Sequence, residues 1–183
     1  MNVLIGYFSE TGNTKKIAET MGEEASTGGH EVQILPVGEI SATQLREAEL
    51  VFLGSTCHSS DIAAPVRNLL DSFPVGATFK LAGFVTHATT LPEGGAWKKD
   101  MYEKWAGRCQ TTFETISKAK GIDFLGYFHC EGAPSSPIEA FIRSTIIPDD
   151  AQWAEYIEEV KRHPSTEDIT AAKAFVREIL TKP

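Results

Sequence analysis

The chain has 183 residues, 42% hydrophobic and 23% charged, which is enough for one domain with a sizeable core. Its net charge of −8 argues against nucleic acid and anionic membrane as partners and suits a docking partner with a basic patch. No apolar run approaches the ~18 residues of a membrane span, no basic leader or cleavage site is visible at Met1, and Cys57, Cys109 and Cys130 lack CxxC or zinc spacing; together these suit a reducing cytoplasm with free thiols.

Strand and helix patterns alternate along the chain. NVLIGYF (residues 2–8) reads as a buried strand. In the following helix, Ile17, Met21 and Ala25 recur at i, i+4 and i+8. Between them lies Ser9-Glu10-Thr11-Gly12-Asn13-Thr14, a strand-to-helix turn made mostly of hydroxyls, a glycine and an amide. Such a turn suits a phosphate. The first amides of a helix have no intrahelical partner, the dipole is positive there, and glycine lets backbone N–H groups approach an anion closely. An ordinary capped turn is the plainer reading, but six such residues in a row directly after the first strand weigh against it. Neither GK[ST] nor GxGxxG is present, so this is not a Walker A loop or a dinucleotide fingerprint.

Residues 31–37 read as a second strand, and Ser41 with Gln44 has capping-box spacing for a short helix. Residues 49–55, ELVFLGS, form an apolar run expected at the centre of a parallel sheet. A polar loop follows at 56–61, then a helix opened by Pro65. Residues 81–87 make a fourth strand, with a loop at 88–95. Trp97, Met101, Trp105, Cys109, Phe113 and Ile116 predict one long helix, and residues 124–130 a fifth strand. Residues 137–146 and 150–162 read as helical, and Ser165 to Asp168 caps an amphipathic terminal helix. The expected fold is a single α/β domain over 1–183: a parallel sheet with helices on both faces, plus an extra helical segment at 138–162.

At Ser9 to Thr14 the sequence resembles the flavodoxins, whose FMN phosphate loop reads Ser/Thr-x-Thr-Gly-x-Thr; every fixed position matches. The resemblance implies a flavodoxin-like three-layer sandwich with five parallel strands in the order 2-1-3-4-5 and FMN at the carboxyl edge. It implies that Ser9, Glu10, Thr11, Gly12, Asn13 and Thr14 hold the phosphate. Ser55, Thr56, Cys57 and His58 form the second cofactor loop, and His87, Ala88, Thr89, Thr90, Gly94 and Gly95 the third. The loops after the first, third and fourth strands are rich in Ser, Thr, His and Gly, whereas Gly28-Gly29 and Val75-Gly76 look like plain connectors. Glu10 is expected to turn its carboxylate to solvent, away from the phosphate.

The family's ring loops usually bring a stacking Trp or Tyr. Between Ser55 and Pro65 this chain has none, and only His58 is planar. Trp97, Trp153 and Tyr156 read as helix packing. His87, at a strand end, is placed either to donate to flavin or substrate or to sit satisfied at the sheet edge. Cys57 beside His58 is not read as a nucleophilic pair, because neighbouring residues rarely present both side chains to one point. His129-Cys130-Glu131 lacks the second pair a metal site needs, so neither catalytic residues nor metal ligands are assigned. The leading expectation is an FMN-binding carrier of low-potential electrons. The alternative is an FMN-dependent NAD(P)H reductase acting on quinone-type acceptors. A phosphate-ligand domain without flavin ranks last. Oligomeric state stays open.

Overall fold

The computed structural model describes residues 1–182. Strand β1 (Asn2–Tyr7) leads through the Ser9–Thr14 turn into α1 (Asn13–Thr27). Strand β2 (Glu31–Pro36) follows, then α2 (Ala42–Glu47), which starts in the capping box of Ser41 and Gln44. Strand β3 spans Leu50–His58 and β4 spans Asp61–Ile62; α3 (Ala64–Ser72) and β5 (Lys80–His87) come next. Helices α4 (Ala96–Trp105) and α5 (Arg108–Lys120) precede β6 (Phe124–Glu131). Helix α6 (Ser136–Phe141) runs into a π-helical turn at Ile142–Ile146, and α7 (Asp150–Val160) and α8 (Thr166–Leu180) close the chain.

The main sheet is parallel, in the order β2-β1-β3-β5-β6. This is the expected path with one addition: β4 pairs antiparallel with β3, so the last two strands become fifth and sixth in number. Side chains alternate across the sheet with period two. Val3, Ile5, Leu50 and Phe52 meet α1 and α8 on one face. Leu4, Val51, Leu53, Leu81 and Val85 meet α3 and α5 on the other. With both faces buried, the strands read as continuous apolar runs.

The structure corrects two local expectations. The polar loop at 56–61 is a hairpin. Strand β3 continues to His58, and Ser59 and Ser60 turn the chain with φ of 49° and 74°, the double positive φ of a two-residue turn that matches strand twist. The long helix after β5 is two helices, broken at Ala106-Gly107. The apolar period runs through the break, but its halves go to different places. Met101, with Trp97 and Trp105, packs against Ile142, Tyr156 and Val160, whereas Cys109, Phe113 and Ile116 pack on the sheet. A straight helix cannot serve both.

Candidate functional site

A cleft of about 720 Å³ opens at the carboxyl ends of β1, β3, β5 and β6. One end is polar and built by the turn after β1. Gly12 sits at φ 90° with open space where a side chain would project, and its N–H donates to Ser9 Oγ at 3.1 Å. Helix α1 then begins with no side-chain cap and no acidic residue in its first turn, which leaves its leading amides free for an anion. Asn13 Nδ2 donates to Thr11 Oγ1 and to the Ala133 carbonyl, both at 2.9 Å. This ties the turn to the segment after β6. Gly132 permits the approach: a Cβ there would stand 2.7 Å from Asn13 Nδ2.

Glu10, Thr11 and Asn13 line the cleft. The Glu10 side chain is exposed, as expected, and its Oε2 lies 2.5 Å from His58 Nε2 across the mouth. Thr14 does not line the cleft itself but bonds Thr86, which does. Its hydroxyl is buried and shares a 2.7 Å hydrogen bond with Thr86 Oγ1. From the β3 end, Thr56, Cys57 and His58 reach the cleft. Ser55 does not line it. Its buried Oγ accepts the Ala63 N–H at 2.8 Å and donates to the Thr56 carbonyl at 2.7 Å, which holds the hairpin in place.

His87, Ala88 and Thr89 line the floor. Both ring nitrogens of His87 are engaged, Nε2 with His129 Nδ1 at 3.0 Å and Nδ1 with Thr89 Oγ1 at 2.8 Å. Burial first, then the neighbouring His129, lowers the His87 pKa to about 3. Burial also lowers that of His129, against the pull of Glu93, so the pair is neutral at ordinary pH. Tyr102 covers both rings, at centroid distances of 5.4 and 4.9 Å. Thr90, Gly94 and Gly95 lie outside the cleft wall. Thr90 Oγ1 donates to the Lys98 carbonyl at 2.9 Å, and Gly95, at φ 116°, starts α4.

The remaining wall was not assigned from sequence. Residues 132–146 close one side with Ala133, Pro134, Ile138, Phe141, Ile142 and Ile146. Trp105 faces Phe141 edge-on at 5.8 Å and lines the cleft as well. Ile138 and Phe141 stay 48% and 43% exposed, an apolar rim at the mouth. One signal for this wall was available: with no stacking aromatic in the ring loops, another segment had to supply apolar surface. Among the described residues no cluster of His, Cys, Asp or Glu has the makings of a metal site.

The model of the flavodoxin domain matches residues 4–177. The chain belongs to the flavodoxin family. Over 61 residues it is 43% identical to a flavodoxin of Nitratidesulfovibrio vulgaris (strain Miyazaki F), a match spanning 33% of this chain and 41% of that protein. Among solved structures, oxidised flavodoxin 1 of Bacillus cereus superposes with a TM-score of 0.66 at 14% identity, covering 100% of this chain and 99% of that one. A flavodoxin from the domain Archaea gives 0.63 at 17% identity, covering 98% and 96%. These likenesses are of fold. Flavodoxins bind FMN, and as a member of the family this chain is an FMN-binding protein. The site fits the cofactor: free helix amides at one end suit a phosphate, and a mainly apolar wall at the other suits a flavin ring. Its place beyond the carboxyl ends of the strands, where strand order reverses between β1 and β3, follows a rule for which flavodoxins are themselves a standard illustration.

Proposed function

We propose that this flavodoxin, acting as one domain in the cytoplasm, carries low-potential electrons between redox proteins with basic docking surfaces. The observation that carries the reading is the polarity gradient of the cleft, from the uncapped start of α1 to the wall of Trp105, Phe141 and Ile142. In this reading the backbone from Thr11 to Thr14, with the Thr11 hydroxyl, holds the phosphate. The ends of β3 and β5 flank the ring, and the segment 132–146 shields it. FMN supplies the one- and two-electron chemistry, while the protein sets access and charge. The acidic net charge of −8 disfavours added negative charge in the cleft and steers towards basic partners.

A second reading, an NAD(P)H reductase for quinone-type acceptors, is favoured by one feature. The loops after β3 and β5 bring no aromatic ring to the cleft except the imidazoles of His58 and His87. A ring face left uncovered is open to a nicotinamide. An anaerobic reductive titration of the FMN-loaded protein, followed by visible absorption, separates the two. The carrier takes up its electrons in two resolved one-electron steps, the second at low potential. Bleaching in a single two-electron step, with rapid turnover of added NAD(P)H, would replace the carrier by the reductase.

A further inference from the structure

We infer that Cys57 and Cys109 form a reversible disulfide in the wall of the cleft, a dithiol site that exchanges two electrons with small-molecule disulfides. Both are free thiols, and their sulfurs lie 3.5 Å apart although the residues are 52 positions apart in sequence. A disulfide brings the sulfurs to about 2.05 Å. The backbones that carry them are already joined without sulfur. The Arg108 N–H donates to the Ser60 carbonyl at 3.1 Å, and the Arg108 guanidinium lies 3.5 Å from the Asp61 carboxylate. The hairpin that follows Cys57 and the first turn of α5 are therefore held side by side. The remaining approach falls to side-chain torsions.

The two thiols have different surroundings, and this orders the reaction. Cys57 is partly exposed and lines the cleft. Cys109 has no exposed surface. The hydrogen bond to Cys57, then burial, pushes the Cys109 thiol up, and only Cys57 can be reached from the cleft. Cys57 loses its proton to water in the cleft and attacks one sulfur of a disulfide RSSR. The R–S bond to the second sulfur of RSSR is not touched; the S–S bond breaks, and RS⁻ leaves and takes up a proton. Cys109 then attacks Cys57 Sγ and displaces the second RS⁻, which takes the Cys109 proton. Two protein thiols and RSSR give one protein disulfide and two RSH; excess RSH reverses it. The third thiol, Cys130, is buried on the opposite face of the sheet and serves as an internal control.

Cys57 lines the cleft in which the proposed function seats FMN, so the test is run both with and without FMN and decided on the FMN-free samples. The full chain is equilibrated in buffers of graded oxidised-to-reduced glutathione ratio. Samples are acid-quenched, alkylated and mapped by mass spectrometry, and flavin fluorescence in the samples with FMN reports cofactor binding separately. The expected result is a Cys57–Cys109 linked peptide that grows with the oxidised fraction and disappears in excess reduced glutathione, while Cys130 stays alkylated. Cys109→Ser is expected to stop at a glutathione adduct on Cys57, and Cys57→Ser to leave Cys109 reduced. Wild-type protein with glutathione on Cys57 but no internal link would overturn the inference. So would wild-type protein whose cysteines all stay reduced at the highest oxidised ratio. The wild-type peptide decides the matter even if a variant misfolds.

Discussion

His87 Nε2 lies 3.0 Å from His129 Nδ1, so a single proton bridges two imidazoles that burial keeps neutral. A buried ring that cannot take up a proton makes the fold acid-sensitive. The His87 pKa is about 3 in the native state, against about 6.5 in the unfolded chain. Above about pH 6.5 neither state binds the proton, and the stability is fully present. Between about pH 6.5 and the native value the unfolded chain binds protons that the native one does not. Stability then falls by about 1.4 kcal/mol per pH unit for each such histidine. Urea unfolding from neutral pH down to about pH 5 checks this. His87→Gln should flatten the slope by roughly one proton; an unchanged slope would remove His87 from the account.

Thr14 and Thr86 bond each other, both almost fully buried, in the wall of the cleft. Thr14→Val is expected to cost about 1–3 kcal/mol, because it leaves the Thr86 hydroxyl buried without its partner. Adding Thr86→Val should recover part of that loss, since both polar groups are then gone. Denaturant unfolding of the two singles and the double, read as a double-mutant cycle, measures the coupling. Purely additive losses would mean that the pair is not coupled.

Glu10 sets a carboxylate beside the start of α1, where the phosphate of FMN is proposed to dock. One unit charge about 4 Å away in water is worth about 1 kcal/mol. Glu10→Gln should therefore tighten FMN binding about 3- to 10-fold, and the effect should shrink with added salt. The Glu10–His58 pair is about half exposed on both sides, so folding stability should change by less than about 1 kcal/mol. A fluorescence-quenching titration of the apoprotein at two ionic strengths reads the affinity. Weaker binding by the variant would place the phosphate elsewhere.

Asp168 serves two groups at once. Its Oδ2 accepts the Ser165 N–H at 2.7 Å in a helix capping box and lies 2.5 Å from His163 Nδ1. Burial opposes a charge on His163, but Asp168, with Glu131 and Glu159 nearby, outweighs it and raises the pKa. The stability from that pairing is fully present below about pH 6.5 and is lost as pH rises through the raised native value. Asp168→Asn is expected to cost about 2–4 kcal/mol. The cost should be larger at about pH 6 than at about pH 9. Thermal unfolding at both pH values tests it, and an equal loss at both would assign the whole effect to the cap.

Local features of this protein were legible in the residues themselves. The apolar runs at 2–8, 49–55 and 81–87 announced the central strands, because a strand buried on both faces needs little but apolar side chains, and the run at 124–130 announced the edge strand β6. The boxes at Ser41 and Ser165 announced helix starts, because capping is a bond between residues three apart. Break points were harder. A continuous apolar pattern at every fourth residue, from Trp97 to Phe113, concealed the end of α4 at Trp105, since the period records only that a face is buried and not what buries it. The hairpin at Ser59-Ser60 was hidden because neither residue is the glycine or asparagine that usually marks a positive φ.

The turn from Ser9 to Thr14, the alternation of elements and hence the family were determined by the sequence alone, because they depend on neighbours within about one helical turn or on a repeating period. Only the tertiary structure decided the partners of the polar residues. Thr11 lines the cleft, Thr14 bonds Thr86 in the cleft wall, Ser55 bonds Ala63 and Thr90 bonds Lys98. The tertiary structure also made the pairs His87–His129 and Cys57–Cys109 and laid residues 132–146 over the open side. A hydroxyl, thiol or imidazole bonds whatever the fold brings within about 3.5 Å. For Thr14–Thr86, His87–His129 and Cys57–Cys109 that partner lies tens of residues away, at a distance no local pattern encodes.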